Sequence, residues 1–227
     1  MLGNKLWTFG TIGLLAVTAC AGGKAEQVSD MQLARLSPEQ VQPVNDARME
    51  QVHANDDMNR QELALRRAEN DIRNARDENK ITDARYDQAE NNIKGAQYVD
   101  DPSQRHAQEH ELEVLRAYRD VTAQRMRVTD GNLDVARAEK DAAQARKDRA
   151  DAKLELAKYE ALVAAKDAVA ESISSEALHK RMARAEERAK DSDKDLVRPR
   201  TNLQKEQQAF TKANARYEQL RSGQAPK

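Results

Sequence analysis

Few side chains in this sequence stand in an arrangement that chemistry could use. The tightest is His106-Ala107-Gln108-Glu109-His110. A spacing of four puts both imidazoles on one face of a helix, where a zinc ion could sit beside a carboxylate. A zinc enzyme also needs a distant third ligand and a closed pocket, and no strand pattern here builds one. The two histidines therefore read as ordinary helix residues, and no metal or cofactor is expected. Cys20 is the only cysteine, so no disulfide can form within the chain. Gly95 and Gly131 are the only glycines between Lys24 and Ser222, which leaves no loop to cradle a phosphate. The abundant carboxylates alternate with Arg and Lys, as on a solvated helix face. The sequence predicts no enzyme.

Cys20 is different because of what precedes it. Lys5 is the only charge before Lys24, and residues 6–19 (LWTFGTIGLLAVTA) are a short apolar stretch ending in small residues, the pattern of a secretory signal. Val17-Thr18-Ala19-Cys20 resembles the lipobox of bacterial lipoproteins. That resemblance implies cleavage before Cys20, acylation of Cys20 with diacylglycerol and an N-acyl chain, and a membrane anchor. Several acyl chains hold durably where one is marginal. Ala21 in the next position resembles the pattern that sends lipoproteins to the outer membrane, facing the periplasm. The alternative is an uncleaved anchor helix over residues 6–23, near the lower limit of a span and interrupted by Gly10, Gly13, Gly22 and Gly23.

The elements that must carry these residues follow from composition. The 227 residues are 34% charged and 4% aromatic, with 38 Lys+Arg against 39 Asp+Glu. Two Phe, one Trp and five Tyr cannot fill an ordinary globular core of this length. A net charge of -1 offers no basic excess for nucleic acid. The fold class expected is all-α: an elongated antiparallel coiled-coil hairpin with a third long helix folding back on it, a three-helix rod. Residues 1–19 are the signal peptide, and 20–42 the lipidated Cys and a flexible tether. Residues 43–170 form the hairpin, 171–222 the third helix and 223–227 a C-terminal tail.

The hairpin rests on heptads. From Val44 to Ala96 every third and fourth residue is mostly apolar, with large residues alternating with Ala (Val44, Ala47, Met58, Leu65, Ala68, Ile72, Ala75). Asp100-Asp101-Pro102-Ser103 marks a turn and a new helix start. A second run follows through Val114, Ala117, Val121, Val128, Val135, Ala142, Leu156 and Val163. Antiparallel pairing with large against small places Tyr86 by Ala117, Thr82 by Val121, Ile72 by Gly131, Ala68 by Val135 and Val44 by Tyr159. It also makes the amides of Asn79 and Gln124 meet, which would satisfy both. Asp130-Gly131 is a turn signal, but the heptad passes through it unshifted, so the helix is expected to continue. A second stripe including Leu112, Leu115, Met126, Leu133, Ala136 and Leu154 predicts another neighbour. The third run, residues 178–220, is expected to supply it, with Leu203 by Ala143, Phe210 by Ala136 and a kink at Pro199.

Two further resemblances bear on function. Residues 79–89 (NKITDARYDQA) resemble the α-hairpin tip of periplasmic adaptor proteins. The lipobox, Ala-rich heptads and terminal Lys227 resemble Braun-type murein lipoproteins, which implies attachment of Lys227 to peptidoglycan. The function expected is a lipid-anchored periplasmic structural or interaction protein, a spacer or docking rod at the cell envelope. The alternative is an assembly or regulatory subunit, adaptor-like, of a transport or cell-wall complex. Expected partners are the membrane through Cys20 and an envelope protein or peptidoglycan, with a homo-oligomer as a further alternative. Tyr98, Val99, Asp100 and Asp101, an aromatic and two acids on the loop between the first two helices, are the expected distal contact.

Overall fold

A computed structural model describes residues 28–96 and 102–223. They are all-α, with no β-strand among the described residues. The elements are α1 (Asp30–Leu33), α2 (Pro38–Ala96), α3 (Pro102–Ala164), a 3-10 turn (Ala168–Ser172), α4 (Ser175–Asp195) and α5 (Val197–Arg221). No described helix is long and apolar enough to cross a membrane.

Two capping boxes correct the start of the first long helix. Ser29 caps α1, its side chain taking the Met31 amide while Gln32 reaches back to the Ser29 amide. Ser37 repeats the device: its Oγ accepts from Gln40 N, and Gln40 Oε1 accepts from Ser37 N at 3.0 Å. Pro38 occupies the first helical position, where a missing N–H costs nothing. Helix α2 thus begins six residues ahead of Val44, and residues 28–42 are not a free tether. Val28 and Leu33 are buried with Val44, Ala47, Leu154, Leu162, Ile173 and Leu178 in one apolar cluster, which we call the base. Val28 N donates to Glu155 Oε2 at 3.1 Å, fixing the incoming chain to α3.

Along α2 and α3, polar contacts run in opposite senses. Asp83 meets Arg119, Asp57 meets Arg146 and Glu50 meets Lys153, the α2 partner moving down the chain as the α3 partner moves up. Three details differ from the expected layers. The Asn79 amide goes to Asp83 and its Oδ1 lies 3.3 Å from Thr122 Oγ1, while Gln124 Oε1 is buried with no hydrogen-bond partner. Asn79 and Gln124 therefore do not satisfy each other: nearer carboxylate and hydroxyl groups compete for the Asn79 amide. Leu133 and Ala136, assigned above to the outer stripe, pack with Ala68 and Ile72. Val163 is 48% exposed, whereas its neighbour Leu162 is fully buried. The last two displacements amount to a rotation of α3 about its axis, as expected where one helix must serve two neighbours.

Helix α3 passes through Gly131 unbroken, but α5 rather than Ile72 closes on that gap. A Cβ at Gly131 would lie 3.3 Å from Leu203 Cδ1. Leu203 therefore does not lie by Ala143; Arg200 reaching Glu139 at 2.8 Å shows a slip in the same direction. The Ala-rich stripe on α3 offers similar holes at each turn, so only the missing side chain at Gly131 distinguishes one register from the next. The third run is two helices, not one. Pro199 has no N–H for the Asp195 carbonyl, and α4 ends at Asp195 with Leu196 between it and α5.

Candidate functional site

The described residues draw much of the chain's scarce aromatic content to one place. Tyr86 from α2, Tyr118 from α3 and Phe210 and Tyr217 from α5 lie toward the end of the molecule remote from the base. Tyr86 is buried, as are Ala117 and Val121 on α3. Its Oη accepts from Arg116 Nη2 at 3.1 Å, and the Arg119 guanidinium lies over its ring, 5.1 Å from the centroid. Arg119 is held there by Asp83, 2.6 Å from its Nε. A guanidinium on an aromatic face contributes about 0.5–1 kcal/mol at an exposed site.

On the adjoining face Tyr118 and Tyr217 meet at 5.2 Å between ring centroids, tilted by 44°. Tyr118 Oη donates toward Glu78 Oε1, and Arg125 Nη1 lies within 3.1 Å of both Glu78 oxygens. Burial pushes the Tyr118 hydroxyl above its usual pKa, and the adjacent Glu78 charge pushes the same way. Beside these rings runs an open groove of about 550 Å³ whose lining includes Leu115, Tyr118, Phe210 and Tyr217 together with Arg85 and Glu78. Aromatic faces with fixed guanidiniums suit the capture of another surface.

The residues singled out from sequence lie elsewhere. Cys20, Tyr98, Val99, Asp100, Asp101 and Lys227 all fall outside the described residues. In sequence, Tyr98 to Asp101 come after Ala96, where α2 ends, and before Pro102, where α3 begins. His106 is exposed, with Nδ1 3.6 Å from Glu109 Oε2, and His110 is exposed. Among the described residues no three His, Cys, Asp or Glu side chains gather where a metal could be held. No family model, curated protein or solved structure matches the chain.

The aromatic cluster was partly open to sequence reasoning. Pairing Tyr86 with Ala117 already brings Tyr118 to the next position on α3. Tyr217 escaped because the expected α3–α5 register was displaced. The base carries a second missed feature, a buried lysine. Lys158 Nζ lies 3.0 Å from Asp30 Oδ1 and 3.1 Å from Glu155 Oε1, and Arg48 also reaches Asp30 at 3.0 Å. Burial alone would lower the Lys158 pKa, but its bonds to Asp30 and Glu155 outweigh burial and raise it. The hydrogen bond from Lys158 in turn holds the Asp30 carboxyl below its usual range. This group clasps α1 to α3.

Proposed function

We propose that the protein is a lipid-anchored structural and interaction element of the cell envelope. In this reading Cys20 is acylated and holds the chain at the outer membrane, facing the periplasm. An elongated antiparallel coiled-coil hairpin, with α4 and α5 folded back along α3, forms a docking rod. The observation that carries it is the opposed ladder of ion pairs between α2 and α3, from Asp83–Arg119 to Glu50–Lys153. At 1.5 Å per residue, a 59-residue α2 is about 90 Å long if straight.

The docked Val28 sharpens the geometry. Only residues 21–27 separate Cys20 from Val28, a reach of at most about 28 Å. An anchored Cys20 would therefore keep the base close to the bilayer and carry the Tyr86–Tyr118–Tyr217 cluster away from it. Those aromatic and arginine side chains favour docking over passive spacing.

Two measurements in cells test this. Intact mass of membrane-extracted protein should show loss of residues 1–19 and added acyl mass, and Cys20→Ser should release the protein from the membrane. A mature mass that retains Trp7 would overturn the anchor. Crosslinking from Tyr98 and from Arg85 should capture a single stoichiometric protein. Capture of peptidoglycan alone, or of nothing, would leave a spacer and overturn docking.

A further inference from the structure

The charges that flank helix seams in this molecule mostly find a carboxylate across the seam. Arg125 meets Glu78 at 3.0 Å, Arg146 meets both Asp57 and Asp193 at 2.9 Å, and Arg200 meets Glu139 at 2.8 Å. One row departs from this. On α4 the residues buried against the rest of the molecule are Leu178, Ala185 and Ala189. Beside them Lys180, Arg181, Arg184 and Arg188 line a groove of about 500 Å³ between α4 and α3. All four are exposed. None has a carboxylate oxygen within 4.0 Å among the described residues; Arg181 is near enough to Asp151 on the facing wall to help lower its pKa, whereas Lys180, Arg184 and Arg188 have no such neighbour there. The groove floor includes Ala177 and Ala185, and its other wall carries Asp148 and Asp151. Those two acids are already engaged, Asp148 by Gln144 and Asp151 by hydrogen bonds from Gln51 and Lys147 with the charge of Arg181 beyond them.

Arg181, Arg184 and Arg188 stand at i, i+3 and i+7, which on a helix spaces the guanidiniums about 4.5 and 6 Å apart along the axis. Carboxylates on a second helix repeat at the same intervals. In coiled coils, flanking charges of this kind choose the partner and its orientation. A planar guanidinium pairs a carboxylate through two parallel hydrogen bonds, which favours carboxylates over a diffuse negative surface. The groove is concave and its cations lie on one wall only, so a flat bilayer would meet few of them. Two helices side by side with small residues between them are a seat for another helix.

We propose that this groove docks an acidic amphipathic helix of a partner protein, with Asp or Glu at i, i+3 or i+4, and i+7 against Arg181, Arg184 and Arg188, and a small apolar face over Ala177 and Ala185. The proposal deepens the docking reading, on which it rests, and does not depend on the lipid anchor or on the distal aromatic cluster.

The test uses full-length Cys20→Ser protein and a labelled three-heptad peptide carrying Glu at those positions and Ala and Leu on the adjoining face. Anisotropy should show saturable binding that weakens as salt is raised from 50 to about 200 mM. The combined substitution R181Q/R184Q/R188Q should weaken it at least tenfold with helicity and melting unchanged. Ala177→Phe, which fills the floor without altering charge, should weaken it as well. A matched Gln peptide should not bind. Absence of binding, equal binding of the Gln peptide, or unchanged binding to the triple variant would overturn the proposal. So would isolated peptidoglycan or anionic vesicles competing for the triple-Arg site where the Glu peptide does not, or a dimer of the protein that the triple substitution dissolves. Failure here with partner capture intact at Arg85 would move docking to the distal cluster; failure of both would remove the docking reading itself.

Discussion

The base and the distal part of the molecule are stabilised by different means. At the base, six separate segments converge: the entry at Val28, α1, the start of α2, the end of α3, the 3-10 turn with Ile173 and the start of α4 bury Leu33, Val44, Leu162, Ile173 and Leu178. Toward the other end the buried residues include Thr82, Tyr86, Ala117, Val121 and Thr122, and the links across α2 and α3 include the polar pairs Arg119–Asp83, Arg125–Glu78, Arg116–Tyr86 and Thr122–Asn79. Apolar burial is worth about 25 cal/mol per Å², whereas partly exposed ion pairs contribute about 0–1 kcal/mol each. Cohesion thus sits at the base, and the distal part is free to vary its surface.

The largest effect should come from cutting the base. Leu162→Ala removes a fully buried side chain and should cost about 2–5 kcal/mol in chemical denaturation. Tyr86→Phe at the distal end loses only the bond from Arg116 and should cost about 1 kcal/mol. If the two substitutions cost the same, cohesion is not concentrated at the base.

Lys158→Met should fall between them, at about 2 kcal/mol. It strands Glu155 beside Val28 N, but Asp30 is half open to water and keeps Arg48. Hydrogen exchange at residues 28–33 should accelerate with little change in α3.

Acid should loosen the same region. Hydrogen bonds from Lys158 and from Lys153 hold Asp30 and Glu50 below their usual pKa values. Their contribution is present above pH about 4 and is lost as pH falls through the lowered folded-state values. Lys158 is raised, so its contribution is complete at neutral pH and is lost only on the alkaline side, above about pH 10.4. Protection of Met31, Gln32 and Leu33, measured relative to the intrinsic exchange rate at each pH, should therefore fall from pH 5 to 3 and stay flat from pH 6 to 9. A loss of protection within the neutral window would contradict the clasp.

The smallest effect separates the distal details. Gln124→Leu removes a buried carbonyl that has no partner and should stabilise the protein by up to about 1 kcal/mol. A double-mutant cycle between Asn79 and Gln124 should give coupling below about 0.3 kcal/mol. Coupling above 1 kcal/mol would mean that the two amides do meet.

Helix content and α2's apolar heptads were legible from spacing alone, because a period is a local property of the chain. What spacing did not convey was the choice among equivalent holes. Leu203 settles against Gly131 and not Ala143 because a missing Cβ admits it, a fact of one position within an otherwise repetitive stripe. The helix starts were written in the sequence as Ser29-Asp30-Met31-Gln32 and Ser37-Pro38-Glu39-Gln40, but the glycines and prolines around them suggested a tether. The aromatic cluster depended on a third helix whose register was displaced, and the α4 cations carry meaning only once it is known that none has a carboxylate within ion-pair distance among the described residues.

The central claim is that the molecule is an extended rod, and small-angle X-ray scattering of monomeric Cys20→Ser protein tests it most directly. A rod about 90–95 Å long predicts a radius of gyration of about 28 Å, from the rise of 1.5 Å per residue along α2 and α3. A compact chain of about 200 residues would give about 17 Å. A value near 28 Å with a maximum dimension of about 100 Å is the predicted result. A value below about 20 Å would contradict it, because the long helices would then have to fold back on themselves.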